Sequence, residues 1–320
     1  MRASLFTNWK SRTSSLGHLL TSKEKVTKKQ LEEIQILQNE RDLGVNVNGN
    51  KVKFSETKST KLNHLIALRD APDILPDGVQ THLDGVFRHV FWGRRRALKG
   101  NQIEKGTEVE TDSLQLISYL DGVYYAENKT QFSNDYLTGE PDNYQFNIKE
   151  IKSNYDLESF EKAEPTSLYA YQIIGYCWLT DKLDGELIYC LVNNPIKQLD
   201  QAIYYLKMKH NIIHTPTPEF IKEAKQVERN MIFDIEKFND EHPSYDWYNT
   251  EFDFDIPKQL RTKRYPIEFF PEHISFIKKR IELSRKYLIE KEQLELEKIK
   301  SFSEQDYNKQ IQIIQNRIKK

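Results

Sequence analysis

The sequence predicts a mixed α/β fold in which a small central sheet is flanked by helices. Apolar residues recur at helical spacing over 109–120 and 168–179, and strand-like segments occupy 123–126, 132–138, 145–151 and 186–192. The resulting order is helix, three strands, helix, strand. A unit of roughly a hundred residues with this order is large enough to form a domain core.

This predicted core divides the chain into three regions. A mainly helical region covers 1–100, the core covers 101–195, and a mainly helical region covers 196–320. In the first region we expect helices near 12–21, 27–41, 59–69 and from 79 onward, and a hairpin over 45–54. In the last region we expect helices over 198–210, 219–239 and 273–300, a strand over 247–254, and a polar tail from Ser303 that is either a partner-dependent helix or a frayed end.

Composition indicates a soluble globular protein and excludes several classes. Charged residues make up 30% of the 320 residues, and 47 Lys and Arg nearly cancel 48 Asp and Glu. A protein without a global basic excess must bind nucleic acid, if at all, through a local patch. No apolar run reaches the roughly 18 residues of a membrane span, so we expect no membrane association and a cytoplasmic location. Cys177 and Cys190 are too few for a disulfide framework and are expected as reduced core residues.

The stretch from Thr138 to Ser153 carries the first chemical signal. Asp142 follows a Gly/Pro turn, and Glu150 and Lys152 share one face of the following strand because side chains in a strand alternate. Carboxylates are the ligands that hard divalent cations prefer, and a neighbouring lysine can orient an attacking water. Taken alone, the pattern is equally typical of a surface hairpin with one salt bridge.

A second signal is the strongest basic cluster of the chain, which lies beside Phe91 and Trp92. It consists of Arg88, Arg94, Arg95, Arg96, Lys99 and Lys105. Basic and aromatic side chains together can bind phosphates and stack on bases. The alternative is a solvated helix end whose cations interact favourably with the helix dipole.

Further candidates on the flanking helices complete a family pattern. Gly106-x-x-x-Glu110, Pro141-Asp142, Glu150-Ile-Lys152 and Gln172-x-x-x-Tyr176 occur in the order found in PD-(D/E)xK nucleases. More closely, residues 100–195 resemble the YqaJ-type viral recombinase group that includes phage lambda exonuclease. Residues 12–21 show a weaker resemblance, since Arg12 and Ser15 are similar to the segment that holds the DNA 5′ end.

Two positions depart from the family pattern. Asn143 stands where a glycine often follows the aspartate, which alters the turn. The spacing from Arg12 to Ser15 is shorter than in the lambda type, so Arg2 or Lys10 could take the place of Arg12.

The resemblance implies a restriction-endonuclease-like core and a site for Mg²⁺, for which Mn²⁺ can substitute. The implied metal ligands are Glu110, Asp142, Glu150 and the carbonyl of Ile151. Lys152 would position or deprotonate the water, Gln172 would hold the nucleophile or Lys152, and Tyr176 would pack or contact phosphate. Implied DNA contacts beyond the site come from Arg12, Ser15 and the arginines Arg88, Arg94, Arg95 and Arg96, which would line the lumen of a ring-shaped trimer.

The function implied by the resemblance is hydrolysis of linear double-stranded DNA by a Mg²⁺-dependent exonuclease. In the lambda type, digestion runs 5′ to 3′ and serves phage recombination together with a single-strand annealing protein, in a bacterial host cell. One alternative is a single-strand exonuclease or a structure-selective endonuclease on the same fold. Another is a non-catalytic DNA-binding subunit of a recombination complex.

Overall fold

The computed structural model describes residues 4–20, 28–46, 48–70, 74–95, 101–212 and 214–318. Two three-stranded sheets lie at its centre. The first contains β1 (Ser11–Arg12), β2 (Phe132–Ser133) and β3 (Leu137–Gly139), with β3 in the middle, parallel to β1 and antiparallel to β2. The second contains β4 (Ile148–Ser153), β5 (Asp184–Cys190) and β6 (Thr262–Glu268).

The second sheet is mixed and has β5 in its centre. β4 pairs with β5 in parallel, and β6 pairs with β5 antiparallel. At the outer edge of β4, an isolated antiparallel bridge joins Asn143 to Lys149. The segment before β4 is thereby held against the strand itself.

Helices surround the two sheets. The first half of the chain forms α1 (Thr13–Leu20), α2 (Lys28–Leu43), α3 (Glu56–Asp70), α4 (Asp77–Trp92), α5 (Asn101–Glu108) and α6 (Glu110–Asp121). The second half forms α7 (Leu157–Glu161), α8 (Ser167–Thr180), α9 (Ile196–Lys209), α10 (Pro218–Met231), α11 (Ile235–Glu241), α12 (Pro271–Phe302) and α13 (Glu304–Ile318). A 3-10 helix covers Lys258–Leu260. None of the helices in the described ranges is long and apolar enough to cross a membrane.

The alternation of β4 and β5 supplies two separate cores, one on each face of the sheet. Ile148 and Leu187 pack with Ile173 of α8 on one face. Ile151 and Ile188 pack with residues of α6 on the other. The sheet therefore holds α6 and α8 at fixed positions on its opposite sides.

The helices α1 and α8 approach each other unusually closely. A Cβ atom added to Gly17 would lie 2.5 Å from Cα of Leu168, which is shorter than any ordinary contact. At the same crossing, Gly175 faces Thr13 and Leu16 of α1. Glycines let the two backbones approach, and the N-terminus of α1 is thereby brought to the edge of the sheet.

The C-terminal region folds back over the N-terminal one. Buried residues of α12, such as Ile281 and Leu288, join the cluster that also contains α1 and α4. On α13, Ile314 is fully buried, and Arg317 donates to the carbonyls of Val90 (2.5 Å) and Phe91 (2.9 Å) at the end of α4. The described part of the tail, α13, is therefore a helix that packs within its own chain, and is neither a frayed end nor a helix that depends on a partner.

The predicted mixed α/β class is confirmed, while several element assignments are wrong. Residues 124–131 form no strand, the predicted strand 132–138 is divided into β2 and β3, and the helix expected over 219–239 is interrupted between α10 and α11. The strand predicted from 145 begins at Ile148. Phe146, which the predicted strand 145–151 included, lies outside β4 and is 61% exposed. The hairpin at 45–54 is reduced to one bridge between Val45 and Lys51.

The strand predicted over 247–254 is also wrong, and β6 was not predicted. The alternation that suggested a strand comes from aromatic packing, since Trp247 contacts the rings of Phe238 and Phe254. The real strand, β6, contains Pro266 and several charged residues, and is tolerated because it pairs on one side only. The helices expected over 59–69 and 198–210 are present as α3 and α9. Thr27, the predicted start of α2, lies outside the described residues.

Candidate active site

The carboxylate of Asp142 is held against β4, the strand that carries Glu150 and Lys152. Its Oδ2 accepts a hydrogen bond of 2.6 Å from the backbone N–H of Ile151. The bridge between Asn143 and Lys149 sets this register, because it places the residue before Asn143 beside the middle of the strand. The hairpin geometry expected from the sequence thus brings Asp142 to Glu150 and Lys152.

Glu150 is the most buried member of the group, with 2% of its surface exposed. Its Oε1 accepts hydrogen bonds from Lys152 Nζ and from Gln172 Nε2, the latter at 2.6 Å. Its Oε2 is also buried and finds no hydrogen-bond partner among the described residues. A buried carboxylate oxygen without a partner is costly, so this atom is available to a cation or a donor from a ligand.

Glu110 is the first residue of α6 and is half-buried. Burial raises its pKa, and the negative charges of Glu127 and Glu150 raise it further. The packing of α6 on β4 brings this third carboxylate toward the other two.

The charges of the group are strongly coupled. The pKa of Asp142 lies well above its ordinary value, first because the side chain is buried and second because Glu150 is near. Burial by itself lowers the pKa of Lys152, but Glu150 and Asp142 outweigh it and raise the pKa above the ordinary lysine value. The acids, which repel one another, therefore favour the protonated ammonium form of Lys152. Its Nζ also lies 5.1 Å from the centre of the Tyr169 ring.

A hydrogen-bonded chain of side chains leads away from Glu150. Gln172 Nε2 donates to both Glu150 Oε1 and the hydroxyl of Tyr176, at 3.2 Å from the latter. The Tyr176 hydroxyl also hydrogen bonds with Thr13, the buried first residue of α1. Burial and the charge of Glu150 raise the pKa of Tyr176, so the hydroxyl stays protonated.

Thr13 was not identified from the sequence. The only local sign was its place between Arg12 and two serines at a helix start. Its contact with Tyr176 depends on the close packing of α1 on α8 at Gly17 and Gly175.

Two cavities adjoin the carboxylates, and both are lined by Glu110 and Asp142. The first, of about 350 Å³, is also bounded by Arg12, Thr13, Ser14, Lys129 and Tyr176. The second, of about 530 Å³, is also bounded by Lys152, Asn154, Tyr155, Tyr169 and Tyr189. The first cavity thus combines the cations Arg12 and Lys129 and the N-terminus of α1 with the additional carboxylates Glu127 and Glu140, whereas the second combines Lys152 with three tyrosines.

The predicted basic residues fall into three groups. Arg12 is exposed and lines the first cavity, whereas Ser15 does not. Arg88, Arg94 and Arg95 are exposed at the end of α4 and line neither cavity, and Arg96 lies outside the described residues. Lys105 was predicted as part of the exposed basic cluster, but it is completely buried because it binds backbone carbonyls at the end of β4.

The acidic side chains of the site meet some, but not all, of the requirements of a site for a divalent cation. Within the described ranges, no three His, Cys, Asp or Glu side chains converge closely enough to form a complete metal-binding group. The chemistry of the donors nevertheless suits a hard cation, since Asp142 and Glu150 repel each other and Glu150 Oε2 is free. Ile151, predicted as a carbonyl ligand, contacts Asp142 through its amide.

The arrangement of sheet and helices is that of an exonuclease fold. The chain is similar over 88% of its length to a phage related exonuclease from Haemophilus somnus 129PT, of which 95% is covered, with 17% identity and a TM-score of 0.52. It is less similar to an alkaline exonuclease (LHK-Exo) from Laribacter hongkongensis, with 11% identity, 72% of this chain and 90% of that chain covered, and a TM-score of 0.44. The complex of LHK-Exo with dAMP gives the same identity and TM-score, with 71% and 88% of the two chains covered. No family model and no curated protein match the sequence.

Proposed function

We propose that this protein is a metal-dependent DNA exonuclease of the PD-(D/E)xK type. The observation that carries the proposal is the convergence of Asp142, Glu150 and Lys152 beside two cavities that are both lined by Asp142 and Glu110. A phosphodiester needs room for a nucleotide on each side of the bond that is cut, and this arrangement provides it. The phage related exonuclease that shares the fold supports the choice of substrate class.

The proposed cofactor is Mg²⁺, with Mn²⁺ as a substitute, held by Asp142, Glu150 and Glu110. When bound, the cation would supply Lewis acidity at the scissile phosphate. Lys152 is suited to donate hydrogen bonds to the attacking water or to the phosphate, because its raised pKa keeps it protonated. Gln172 fixes the orientation of the Glu150 carboxylate.

The proposed substrate is the end of a linear duplex, digested from 5′ to 3′. Arg12 and the N-terminus of α1 face the first cavity, and both favour a terminal phosphate. By resemblance we further propose a ring trimer, a single-strand annealing partner and a role in phage recombination in the bacterial cytoplasm. In such a ring, Arg88, Arg94 and Arg95 would face the DNA, since all three are exposed.

Digestion of a linear duplex labelled at either end tests the reaction. We expect cleavage that requires Mg²⁺ or Mn²⁺ and releases nucleotides from the 5′ end. Asp142→Asn and Lys152→Ala should each reduce the rate by a factor of roughly 10² or more, the size of effect seen when charged catalytic groups are removed. Lys162→Ala is the matched control, because Lys162 is an exposed lysine paired only with Glu158. Full activity in a folded Lys152→Ala protein would contradict the assignment.

The preferred DNA end and the preferred form of the DNA substrate are tested in separate experiments. An exonuclease should leave a closed circle intact, whereas cutting of circles would favour a structure-selective endonuclease. Preference for a single strand over a duplex would favour the single-strand alternative. Removing the 5′ phosphate should slow the wild-type protein and have a smaller effect on Arg12→Ala. If no substrate is cut and Asp142→Asn does not alter Mn²⁺ binding, the protein is a non-catalytic DNA-binding subunit.

A further inference from the structure

Lys105 on α5 is a lysine with none of its surface exposed. Its ammonium group donates to the backbone carbonyls of Asn154 (2.6 Å) and Val192 (2.8 Å), more distantly to that of Tyr155 (3.3 Å), and to Oδ1 of Asn194. In the described part of the chain, no carboxylate lies within ion-pair distance of it. A buried charge is normally paired directly with an opposite charge, whereas the hydrogen-bond acceptors of Lys105 are all neutral oxygens. The ring of Phe233 also lies 5.4 Å from its Nζ, and the carboxylates of Asp156 and Asp112 act on it from a greater distance.

The acceptors of Lys105 lie at one place in the fold. Asn154 follows the end of β4 and is two residues from Lys152, while Val192 and Asn194 follow the end of β5. Because β4 and β5 are parallel, both of these ends lie at the same edge of the sheet. One ammonium group therefore joins two strand ends to α5.

Helix α5, which carries Lys105, is also close in sequence to a residue of the candidate active site. Helix α5 ends at Glu108, and α6 begins at Glu110, so Lys105 is little more than one helical turn from the third carboxylate. Asn154 also lines the second cavity together with Glu110 and Lys152. The bond from Lys105 Nζ to Asn154 is thus a direct brace between the chain segment carrying Glu110 and the strand carrying Glu150 and Lys152.

We propose that Lys105 is a positioning residue that sets the distance between Glu110 and the Glu150–Lys152 end of β4. This inference rests on the proposed nuclease function, which gives that distance its importance. A purely structural role, which is to fill the space and to satisfy the buried carbonyls, would lower stability without changing kcat in the folded protein. A positioning role requires the donors, since they hold α5 to the carbonyls after β4 and β5.

The test compares two buried charged residues that are held by neutral groups. Lys105→Met keeps most of the volume and removes all donors. The matched control is Glu228→Met, because Glu228 of α10 is also completely buried and bound by neutral groups, among them the backbone N–H groups of Tyr248 and Asn249 at 2.8 Å, but lines neither cavity. Both variants are compared with the wild-type protein by thermal unfolding, by kcat and KM on a duplex, and by calorimetric titration with Mn²⁺.

We expect Lys105→Met to lower kcat by about 10 to 100-fold with little change in KM, as for the misplacement of a catalytic group. It should also weaken Mn²⁺ binding by about 10-fold or more, the usual effect of losing a residue that orients metal ligands. Glu228→Met should lower stability at least as much while leaving kcat and Mn²⁺ affinity close to wild type. Hydrogen exchange should become faster at residues 104–110 and 152–156 in Lys105→Met only.

Two results would overturn the proposal. One is a folded Lys105→Met protein with wild-type kcat, Mn²⁺ affinity and exchange rates. The other is an equal loss in both variants, which would show a general effect of stability. Where Lys105→Met does not fold, Asn194→Ala removes a single acceptor and should give smaller changes in the same direction, and wild-type behaviour there would count against the proposal. An inactive wild-type protein that binds no Mn²⁺ would instead refute the proposed function.

Discussion

The packing of α1 on α8 yields a prediction whose size follows from the structure. In Gly17→Ala, the new Cβ would lie 2.5 Å from Cα of Leu168 and 3.0 Å from its carbonyl oxygen. These are backbone atoms, so the contact cannot be relieved by a side-chain rotation. Ordinary contact begins near 3.4 Å, and the two helices would have to separate by up to about 1 Å.

Two opposing terms set the net effect of Gly17→Ala. Alanine in a helix interior gains about 1 kcal/mol over glycine in propensity. Overpacking of a close contact costs about 1 to 3 kcal/mol, and backbone contacts lie at the upper end of that range. We therefore expect a net loss of about 1 to 2 kcal/mol, which corresponds to a fall in the melting temperature of about 2 to 8 °C.

Thermal and urea unfolding of Gly17→Ala and a control measure this loss. Gly78→Ala is the control, because Gly78 is also in a helix but a Cβ there meets nothing within 4 Å. The control should be neutral or slightly stabilised. Since α1 also carries Thr13, which bonds with Tyr176, Gly17→Ala should in addition lower nuclease activity. Equal or higher stability in Gly17→Ala than in Gly78→Ala would refute the reasoning.

Three further predictions concern charge and the ends of helices. Asp142→Asn should raise the melting temperature in EDTA, because it removes a carboxylate that Glu150 repels, while abolishing cleavage; a lower melting temperature would contradict this. Burial lowers the pKa of His82 from 6.5 to about 4, so its contribution to the free energy of unfolding is complete above pH 6.5 and is lost as the pH falls toward 4. His82→Leu should therefore lose less of its free energy of unfolding over that interval, which urea titration at several pH values measures. Arg317→Ala should cost about 1 kcal/mol and speed hydrogen exchange at the end of α4, since two carbonyls there lose their donor.

The parts of the site that the sequence predicted are those set by local rules. The alternation of side chains along a strand determines that Glu150 and Lys152 share a face. A turn closed by neighbouring residues determines that Asp142 meets them. Helical spacing likewise places Gln172 and Tyr176 one turn apart, where Gln172 can donate to both Tyr176 and Glu150.

The parts that were missed depend on contacts between distant segments. Thr13 and Tyr176 are brought together by a helix crossing that only the glycines at 17 and 175 permit, and nothing in either segment alone indicates it. Lys105 looks like one more cation of a basic cluster, and its burial depends on carbonyls 49 and 87 residues further along the chain. β6 lacks an apolar pattern because β5, and not its own composition, decides its conformation.

The composition of β4 shows how the site and the fold constrain each other. A strand with four consecutive buried residues, two of them charged, has little intrinsic preference for a sheet, and each charge is tolerated only because it is paired. On one face Lys149 forms an ion pair with Glu186. Arg264 in turn pairs with Glu186 and with Asp121, so a network of ion pairs crosses the three strands. On the other face Glu150 binds Lys152 and Gln172, and one oxygen is left over. The first face is electrostatically complete and the second is not, so a ligand that binds the sheet should bind on the Glu150 side and stabilise the fold as it does so.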